Sequence, residues 1–330
     1  MRIIIDAMGG DNAPKEIVKG AVRAKRELGV DVTLVGIEDR VRACLEAEGC
    51  GDIDVVNASE VITMEDDPST ATRRKKDSSM AVALTMLKDG KGDAVVSAGS
   101  TGALLTGATL TVKRIHGIRR AALAPVLPAG EHGVMLIDCG ANVECTAEYL
   151  LQFATMGAHY MQSVLGVAQP RVGLLNNGAE EHKGMPLQQE TYQLLKTAPV
   201  NFIGNIEGRD VPLGAADVIV ADGFTGNILL KTMEGVGLFF AGELKSIFLK
   251  NAASKLAALL VRDGIRSFKK KMDYNETGGA PLLGIAKPGI KAHGSSKAKT
   301  FESAIAQAVT YVEQGVIDKI ARSVESGAEA

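Results

Sequence analysis

The chain has 330 residues, of which 46% are hydrophobic, 23% are charged and 4% are aromatic. This composition is typical of a water-soluble globular protein, and the few aromatic rings and the net charge of −2 argue against nucleic acid as a partner. The four cysteines form no C-x-x-C pair, which argues against structural zinc, and the N-terminal apolar run is cut short at Asp6, unlike a signal peptide. We therefore expect a cytoplasmic protein that needs no metal and no cofactor.

Short β-branched runs alternate with longer amphipathic stretches along the chain. Strands are predicted at Arg2–Ile5, Val32–Val35, Ile53–Val56, Ala94–Ser97, Leu123–Leu127, Val134–Asp138, Arg171–Leu175, Asn201–Ile206, Val218–Ala221 and Gly289–Ala292. Helices are predicted at Lys15–Leu28, Ser78–Leu87, Gly102–Arg114, Thr146–Leu165, Pro186–Leu195 and Lys297–Ala321. This alternation predicts one compact α/β unit, in which helices cover both faces of a mainly parallel sheet.

Glycine-rich junctions follow the ends of several strands. The turn Gly223–Gly226 follows a strand that stops at Asp222, and a long helix is predicted to open at Asn227. Backbone N–H groups in such turns, and the positive end of the helix, favour an anion. The same device recurs at Ser97–Gly102, Asp138–Asn142, Asn176–Gly178 and His293–Ser296. Since ligands of parallel sheets bind beyond the carboxyl ends of the strands, we expect one shared crevice suited to phosphate chemistry.

One segment departs from the alternation. From about residue 226 to residue 272 the sequence is helical, and it is long enough for two helices joined near Asn251, which predicts a projecting hairpin at residues 238–276. Residues 245–271 contain eight basic side chains, a single acid, Asp263, and the apolar runs Ile247–Leu249 and Leu256–Val261. Such a hairpin fits a dimer interface, an anionic membrane surface or an acidic protein partner, and the pattern leaves all three open.

Seven runs of the sequence resemble the bacterial phosphate acyltransferases of phospholipid synthesis, the PlsX family. They are DAMGGDNAP (Asp6–Pro14), RRKKDSSMA (Arg73–Ala81), SAGSTGALL (Ser97–Leu105), DCGANVE (Asp138–Glu144), GNIEGRD (Gly204–Asp210), DGFTGNILLKTMEG (Asp222–Gly235) and IKAHGSS (Ile290–Ser296). Ser100 stands where the family motif usually has Asn, and Asn177 where an apolar residue is usual. The resemblance covers nearly the whole chain. It implies a single domain, 1–330, with a three-layer α/β/α fold similar to isopropylmalate dehydrogenase and phosphotransacetylase.

The resemblance also implies a reaction and its partners. A long-chain fatty acyl group would pass from the thioester of acyl carrier protein to inorganic phosphate, giving acyl phosphate for phospholipid synthesis. The implied partners are a second copy of the chain in a homodimer, an anionic membrane surface at the inner face of the cell membrane, and a downstream acyltransferase that uses acyl phosphate. Because phosphate is itself the nucleophile, neither a catalytic triad nor a covalent acyl-enzyme is required, and catalysis consists of positioning and electrostatic stabilisation.

Three residues are the catalytic candidates. Lys183 is similar to the lysine of the family's Lys-Gly pair and suits the charge of phosphate or of an oxyanion. The Asn227 amide suits the carbonyl oxygen of the substrate, and Asp222 suits the orientation of a lysine or a substrate hydroxyl. Each has a structural alternative: a solvated loop lysine, an ordinary helix-start residue and an ordinary turn residue.

The candidates for substrate binding are small or polar residues of the glycine junctions, together with Lys231 on the helix face of Asn227. They are Asp6, Gly9, Gly10, Ser97, Gly99, Ser100, Thr101, Gly102, Asp138, Gly140, Ala141, Asn142, Asn176, Gly178, Gly223, Phe224, Thr225, Gly226, Lys231, His293, Gly294 and Ser295. Three alternatives stay open: Lys231 pairs with Glu234, Ser100 and Thr101 only cap a helix, and His293 is only structural.

Other classes of function fit parts of the sequence. A phosphotransacetylase-like enzyme that uses acyl-CoA would need the same crevice. The G-x-G-x-x-G fingerprint of a nicotinamide-dependent dehydrogenase and the G-x-x-x-x-G-K-[ST] motif of a P-loop NTPase are both missing. A membrane-surface scaffold without activity would leave the repeated glycine junctions unexplained.

Overall fold

The computed structural model describes residues 1–265 and 278–328, and in this part of the chain the strands form two sheets, not the single sheet predicted. The seven-stranded sheet consists of β1 (Arg2–Asp6), β2 (Asp31–Gly36), β3 (Asp54–Asn57), β4 (Ala94–Ser97), β5 (Ala122–Leu123), β11 (Gly279–Leu283) and β12 (Gly289–Ala292), in the order β3-β2-β1-β4-β12-β11-β5. The five-stranded sheet consists of β6 (Val126–Leu127), β7 (Val134–Ile137), β8 (Arg171–Asn176), β9 (Asn201–Glu207) and β10 (Val218–Val220), in the order β6-β7-β10-β8-β9.

Both sheets are mainly parallel, as predicted. The pairs from β3 to β12 in the larger sheet and from β7 to β9 in the smaller sheet are all parallel. Antiparallel pairs are confined to one edge of each sheet. In the larger sheet they involve β11 and β5, and in the smaller sheet they involve β6. The polar junctions that follow parallel strands therefore lie at the same edge of their sheet.

The chain passes from one sheet to the other at Pro125. The predicted strand Leu123–Leu127 is in fact two short strands, β5 in the larger sheet and β6 in the smaller one. Proline has no N–H to donate to a neighbouring strand, so a continuous ladder through this position is unfavourable.

The helices are α1 (Lys15–Leu28), α2 (Glu38–Ala47), α3 (Ala71–Arg74), α4 (Ser79–Lys88), α5 (Thr101–Thr111), α6 (Ala147–Val164), α7 (Pro186–Thr197), α8 (Gly223–Leu249), α9 (Ala252–Leu260), α10 (Ala298–Glu313) and α11 (Val316–Ala328). The sequence analysis missed α2, α3 and β11. The predicted helix Lys297–Ala321 is two helices, because Gly315 between them has a φ of 57°, in the left-handed region that favours glycine.

Buried side chains form two clusters, one on each face of the sheets. The first joins β1 and β7 to α1, α6 and α10, with Phe153 and Phe301 among its largest side chains. The second joins the opposite faces to α4 and α5, with Leu84 and Leu104 among its fully buried side chains. Helices thus cover both faces of the β-layer, in agreement with the predicted three-layer arrangement.

Helix α8 begins four residues earlier than predicted, at Gly223, and Asp222 is its N-cap. The predicted junction of two helices near Asn251 is confirmed: α8 ends at Leu249, and the Asn251 side chain caps α9 by accepting from Ser254 N–H at 2.8 Å. The buried residues of α8 are the two glycines of its first turn, and α9 has no buried residue. Residues 266–276 of the predicted hairpin lie outside the described residues. Within the described ranges, every helix is too short or too polar to cross a bilayer.

Candidate active site

Three neighbouring strands of the larger sheet carry polar side chains in one row at their carboxyl ends. Asp6 of β1 is paired with Ser97 of β4, and Ser97 is paired with Lys291 of β12. Directly paired residues of parallel strands point to the same face of the sheet. The strand pairing therefore places a carboxylate, a hydroxyl and an ammonium group side by side at one edge.

Asp6 is buried behind this edge and bonds to both the end of β4 and the loop that follows β1. Ser97 Oγ donates to Asp6 Oδ2 at 2.6 Å, and Met8 N–H donates to Asp6 Oδ1 at 3.3 Å. A Cβ at Gly9 would lie only 2.6 Å from both Asp6 Oδ2 and Gly99 N, so the close approach requires glycine. Burial raises the pKa of the Asp6 carboxyl. Asp6 and Gly9 thus support the crevice wall from behind.

The junction between β4 and α5 forms the next part of the wall. Ser97 Oγ accepts from Gly99 N–H at 3.0 Å, and Ser100 Oγ accepts from Ala103 N–H at 3.5 Å as the N-cap of α5. Gly99, Ser100 and Thr101 all line the crevice. Ser100 therefore caps the helix and also lines the crevice, and its role in substrate binding stays a prediction.

Asp138 organises the loop after β7. Its Oδ1 accepts from Leu123 N–H at 3.0 Å and from Cys139 N–H at 2.7 Å, and its Oδ2 accepts from Asn142 N–H at 2.6 Å. Burial raises the pKa of Asp138 to about 6, against the lowering effect of these bonds. Because its oxygens are used in folding the loop, Asp138 supports Gly140, which lines the crevice.

The start of α8 is packed against that loop. Asp222 accepts from Thr225 N–H and from Thr225 Oγ1, each at 2.8 Å, as the N-cap of the helix. A Cβ at Gly226 would lie 2.0 Å from the carbonyl oxygen of Asp138, so only glycine allows this contact. Asp222 therefore caps α8 and does not line the crevice, and a catalytic role for it stays a prediction.

Asn227 lies in the second turn of α8, so the alternative that it starts the helix is wrong. Its side chain lines the crevice, and a Cβ at Gly140 would lie 3.5 Å from Asn227 Cγ across the cleft. Lys231, one turn further on, also lines the crevice, and its Nζ contacts Glu234 Oε2 at 2.8 Å. Lys231 thus pairs with Glu234 and also lines the crevice, and substrate binding by Lys231 stays a prediction.

His293 follows β12 and faces the same crevice. Its Nδ1 lies 2.8 Å from Ser295 Oγ and accepts from Ser295 N–H at 3.2 Å. The ring proton of the neutral form therefore lies on Nε2. Burial, and then the charge of Lys291, lower the pKa of His293, which keeps the ring neutral at pH 7.

Lys291 was not among the predicted site residues. It is only 8% exposed, lines the crevice, and donates from Nζ to the carbonyl oxygens of Ala98, at 3.4 Å, and Ala292. Burial lowers its pKa to about 8. A lysine inside the apolar strand Gly289–Ala292 was the sequence signal that could have revealed it.

The crevice is also lined by apolar residues, which were not predicted. They come from the segment before α3, from β5 and β6, and from α8. They are Val61, Ile62, Met64, Leu123, Pro125, Val126, Leu127 and Leu230. The whole crevice has a volume of about 710 Å³, which suits a ligand with an anionic end and an apolar body.

The predicted site residues divide into those that line the crevice and those that do not. The first set is Gly10, Gly99, Ser100, Thr101, Gly140, Asn227, Lys231, His293 and Gly294. The second set is Asp6, Gly9, Ser97, Gly102, Asp138, Ala141, Asn142, Asn176, Gly178, Lys183, Asp222, Gly223, Phe224, Thr225, Gly226 and Ser295. Most of the second set belongs to the same junctions and holds the first set in place.

Lys183 is the main exception. It lies in the loop after β8, where Asn176 Nδ2 donates to its carbonyl oxygen at 3.1 Å and a Cβ at Gly178 would be 2.9 Å from its Cγ. None of these three residues is among those that line the crevice. The crevice is therefore shared by three of the five predicted junctions, Ser97–Gly102, Asp138–Asn142 and His293–Ser296. The junctions Gly223–Gly226 and Asn176–Gly178 do not line it. A catalytic role for Lys183 stays a prediction.

Comparisons of the sequence with known families agree with this geometry. A family model described as "Fatty acid synthesis protein" matches residues 1–319. The chain is 49% identical over 325 residues to a phosphate acyltransferase of Thermoanaerobacterium thermosaccharolyticum, covering 98% of this chain and 97% of that one. It is 48% identical over 328 residues to a phosphate acyltransferase of Clostridium acetobutylicum, covering 98% and 99%.

Solved structures with a similar fold include a phosphotransacetylase and a branched-chain phosphotransacylase. A phosphotransacetylase from Streptococcus pyogenes superposes with a TM-score of 0.65 at 17% identity, covering 96% of this chain and 94% of that one. A branched-chain phosphotransacylase from Enterococcus faecalis superposes with a TM-score of 0.55 at 16% identity, covering 94% and 100%. At this identity the likeness concerns the fold, and it confirms the phosphotransacetylase-like architecture that the sequence predicts.

Proposed function

The chain belongs to the phosphate acyltransferase family, and we propose that it transfers a long-chain fatty acyl group from acyl carrier protein to inorganic phosphate. The product is an acyl phosphate for phospholipid synthesis. The observation that carries this proposal is that one crevice is lined by both polar and apolar residues. Lys291, His293 and the start of α5 suit an anion, and the apolar lining residues suit an acyl thioester.

The proposed reaction is a direct attack. A phosphate oxygen forms a bond with the thioester carbonyl carbon, the tetrahedral intermediate collapses, and the C–S bond breaks with its electron pair on sulfur. A thiol with a pKa of about 8.5 is a tolerable leaving group, so a strong general acid is not needed. The enzyme therefore acts by positioning the two substrates and stabilising the oxyanion.

Asn227 is assigned to the oxyanion. Its side chain lines the crevice opposite Gly140, and the amide NH₂ can donate to the carbonyl oxygen as negative charge develops there. Asp222 supports this role by fixing the first turn of α8. Lys183, in the loop after β8, is assigned to binding the negative charge of phosphate or of the oxyanion.

The helical hairpin is assigned to partners. In the described part of residues 238–276, exposed apolar side chains lie close to basic residues in the sequence. Leu238 is 71% exposed and Leu260 is 81% exposed. Exposed leucines beside lysines match an anionic lipid surface, while a row along α8 matches a second copy of the chain. We assign the basic hairpin to the acidic carrier protein and to the membrane, and the face of α8 to a homodimer. Release at the membrane surface would deliver acyl phosphate to the acyltransferase that consumes it.

The test is an assay with purified protein, acyl carrier protein thioester and labelled phosphate. Labelled acyl phosphate, labile to acid, is expected to form. Acyl-CoA is run beside it, since a phosphotransacetylase-like use of acyl-CoA is the alternative that the sequence leaves open. Faster turnover with acyl-CoA would overturn the carrier-protein assignment, and absence of product with both donors would overturn the proposed function.

A further inference from the structure

Lys291 is a buried cation at the wall of the crevice, and none of the described carboxylates is in contact with it. Its residue is 8% exposed, and all four residues of β12 are buried. Within residues 1–265 and 278–328, no ion pair closer than 4.0 Å involves it. The charge is instead compensated by two backbone carbonyls, those of Ala98 and Ala292.

Two carbonyl bonds leave one hydrogen of the ammonium group for another acceptor, because a lysine Nζ carries three donors. Burying an ammonium group is unfavourable unless an anion or sufficient acceptors join it. The nearest acids do not complete the set. Asp6 accepts from Ser97 Oγ and Met8 N–H, and Asp6 and Asp11 act on Lys291 only through longer-range attraction. An anion in the crevice would complete the set.

The surroundings of Nζ favour the same kind of ligand. The Ala98 carbonyl that Lys291 contacts lies three residues before Thr101, where α5 begins. The first amide hydrogens of a helix have no partner within the helix, and its positive end attracts anions. Gly99, Ser100 and Thr101 line the crevice next to this carbonyl, so a fixed cation and a helix start face the same space.

We propose that Lys291 binds the inorganic phosphate that attacks the acyl thioester, by donating from Nζ to one of its non-attacking oxygens. This inference rests on the proposed function and names the residue that holds its nucleophile. Lys291 stays protonated throughout: the attacking phosphate oxygen bonds to the carbonyl carbon, the C–S bond breaks, and a thiolate leaves with its electron pair. Its lowered pKa of about 8 is consistent with a charge that awaits a counter-ion.

The test compares two lysine-to-methionine variants. Lys291→Met removes the buried charge and keeps an unbranched apolar chain, while Lys287→Met removes an exposed charge near the opposite end of β12. Binding of inorganic phosphate to the free enzyme is measured by calorimetry, with sulfate as a second probe, and KM is measured for both substrates. For Lys291→Met, phosphate affinity is expected to fall at least tenfold, and KM for phosphate to rise by the same factor. KM for the acyl thioester should stay within twofold. Lys287→Met should match the wild type in every measurement.

A second measurement needs no variant. Addition of inorganic phosphate to the wild-type protein, labelled with ¹⁵N at lysine side chains, is expected to shift the Nζ resonance of Lys291 and leave that of Lys287 unchanged. No shift at Lys291, or unchanged phosphate affinity in a folded Lys291→Met, would overturn the inference. If the wild type is active under those conditions, the Lys291 assignment alone falls. If the wild type forms no acyl phosphate, the proposed function falls and this inference falls with it.

Discussion

The crevice and the α8–α9 hairpin are built on opposite principles although one helix contributes to both. Behind the crevice wall, buried carboxylates are held by neighbours: Asp6 by Ser97 and Met8, and Asp138 by three amide hydrogens of its own loop and β5. In the hairpin, apolar side chains such as Leu260 face solvent. The first region is complete within the chain and awaits a small ligand, whereas the second needs a large partner surface.

The junction between the two regions gives the largest expected effect. Gly226→Ala would place a Cβ 2.0 Å from the carbonyl oxygen of Asp138, so the first turn of α8 must move away from the loop. We expect a loss of about 1–3 kcal/mol in the free energy of unfolding, measured with urea. Activity should fall at least as far as when Asn227 is removed, since Asn227 moves with the helix.

Gly235→Ala is the matched control in the same helix. A Cβ there meets no atom within 4 Å, and alanine is a better helix former by about 0.5–1 kcal/mol. Equal destabilisation by both substitutions would show that the close approach at Gly226 does not hold the crevice together.

Asn227→Ala tests a polar residue that lines the crevice. Loss of one oxyanion donor is expected to lower kcat by about 100- to 1,000-fold. The midpoint of thermal unfolding should stay unchanged, because the side chain is exposed. Lys183→Ala is measured beside it. A loss for Lys183→Ala as large as for Asn227→Ala would place the loop after β8 in the working site, and no loss would remove Lys183 from the reaction.

Leu260→Ser tests the hairpin. Burial of a leucine side chain in lipid is worth about 1.5–3 kcal/mol, so sedimentation with anionic vesicles should weaken roughly tenfold or more. Turnover of acyl carrier protein thioester in solution should not change. Leu213→Ser removes a leucine that is equally exposed, at 78%, outside the hairpin and serves as the control. Equal loss of vesicle binding in both variants would contradict a specific role for the hairpin.

The smallest effect concerns the charge balance of the crevice. The pKa of His293 is lowered by burial and then by Lys291, so Lys291→Met is expected to raise it, as measured by NMR titration of the ring. A lowered histidine pKa stabilises the fold above pH 6.5, and this contribution is lost as pH falls through the folded-state pKa. In Lys291→Met, the free energy of unfolding should therefore decrease less as the pH falls below 6.5. An unchanged pKa of His293 would show that the charge of Lys291 does not act on the His293 ring.

Local patterns predicted most of the elements because their signals are local. The run Ile3–Ile5 before Asp6 and the amphipathic period of Lys15–Leu28 specify a strand and a helix without distant contacts. The start of α8 was placed wrongly because Gly223–Gly226 has the composition of a turn. It is helical because Asp222 caps it and its glycines allow contact with the Asp138 loop.

The sequence alone determined that polar groups end apolar strands, that the sheets are mainly parallel, and that a basic and apolar helical pair follows Asn227, since each depends on residue type and spacing within a few turns. Only the tertiary structure decided that the strands divide between two sheets at Pro125, that the Asn176–Gly178 junction lies outside the crevice, and that Lys291 stands beside Ser97 in one row. Strand order results from pairing between residues far apart in the chain, and neither periodicity nor motif spacing records which distant strands become neighbours.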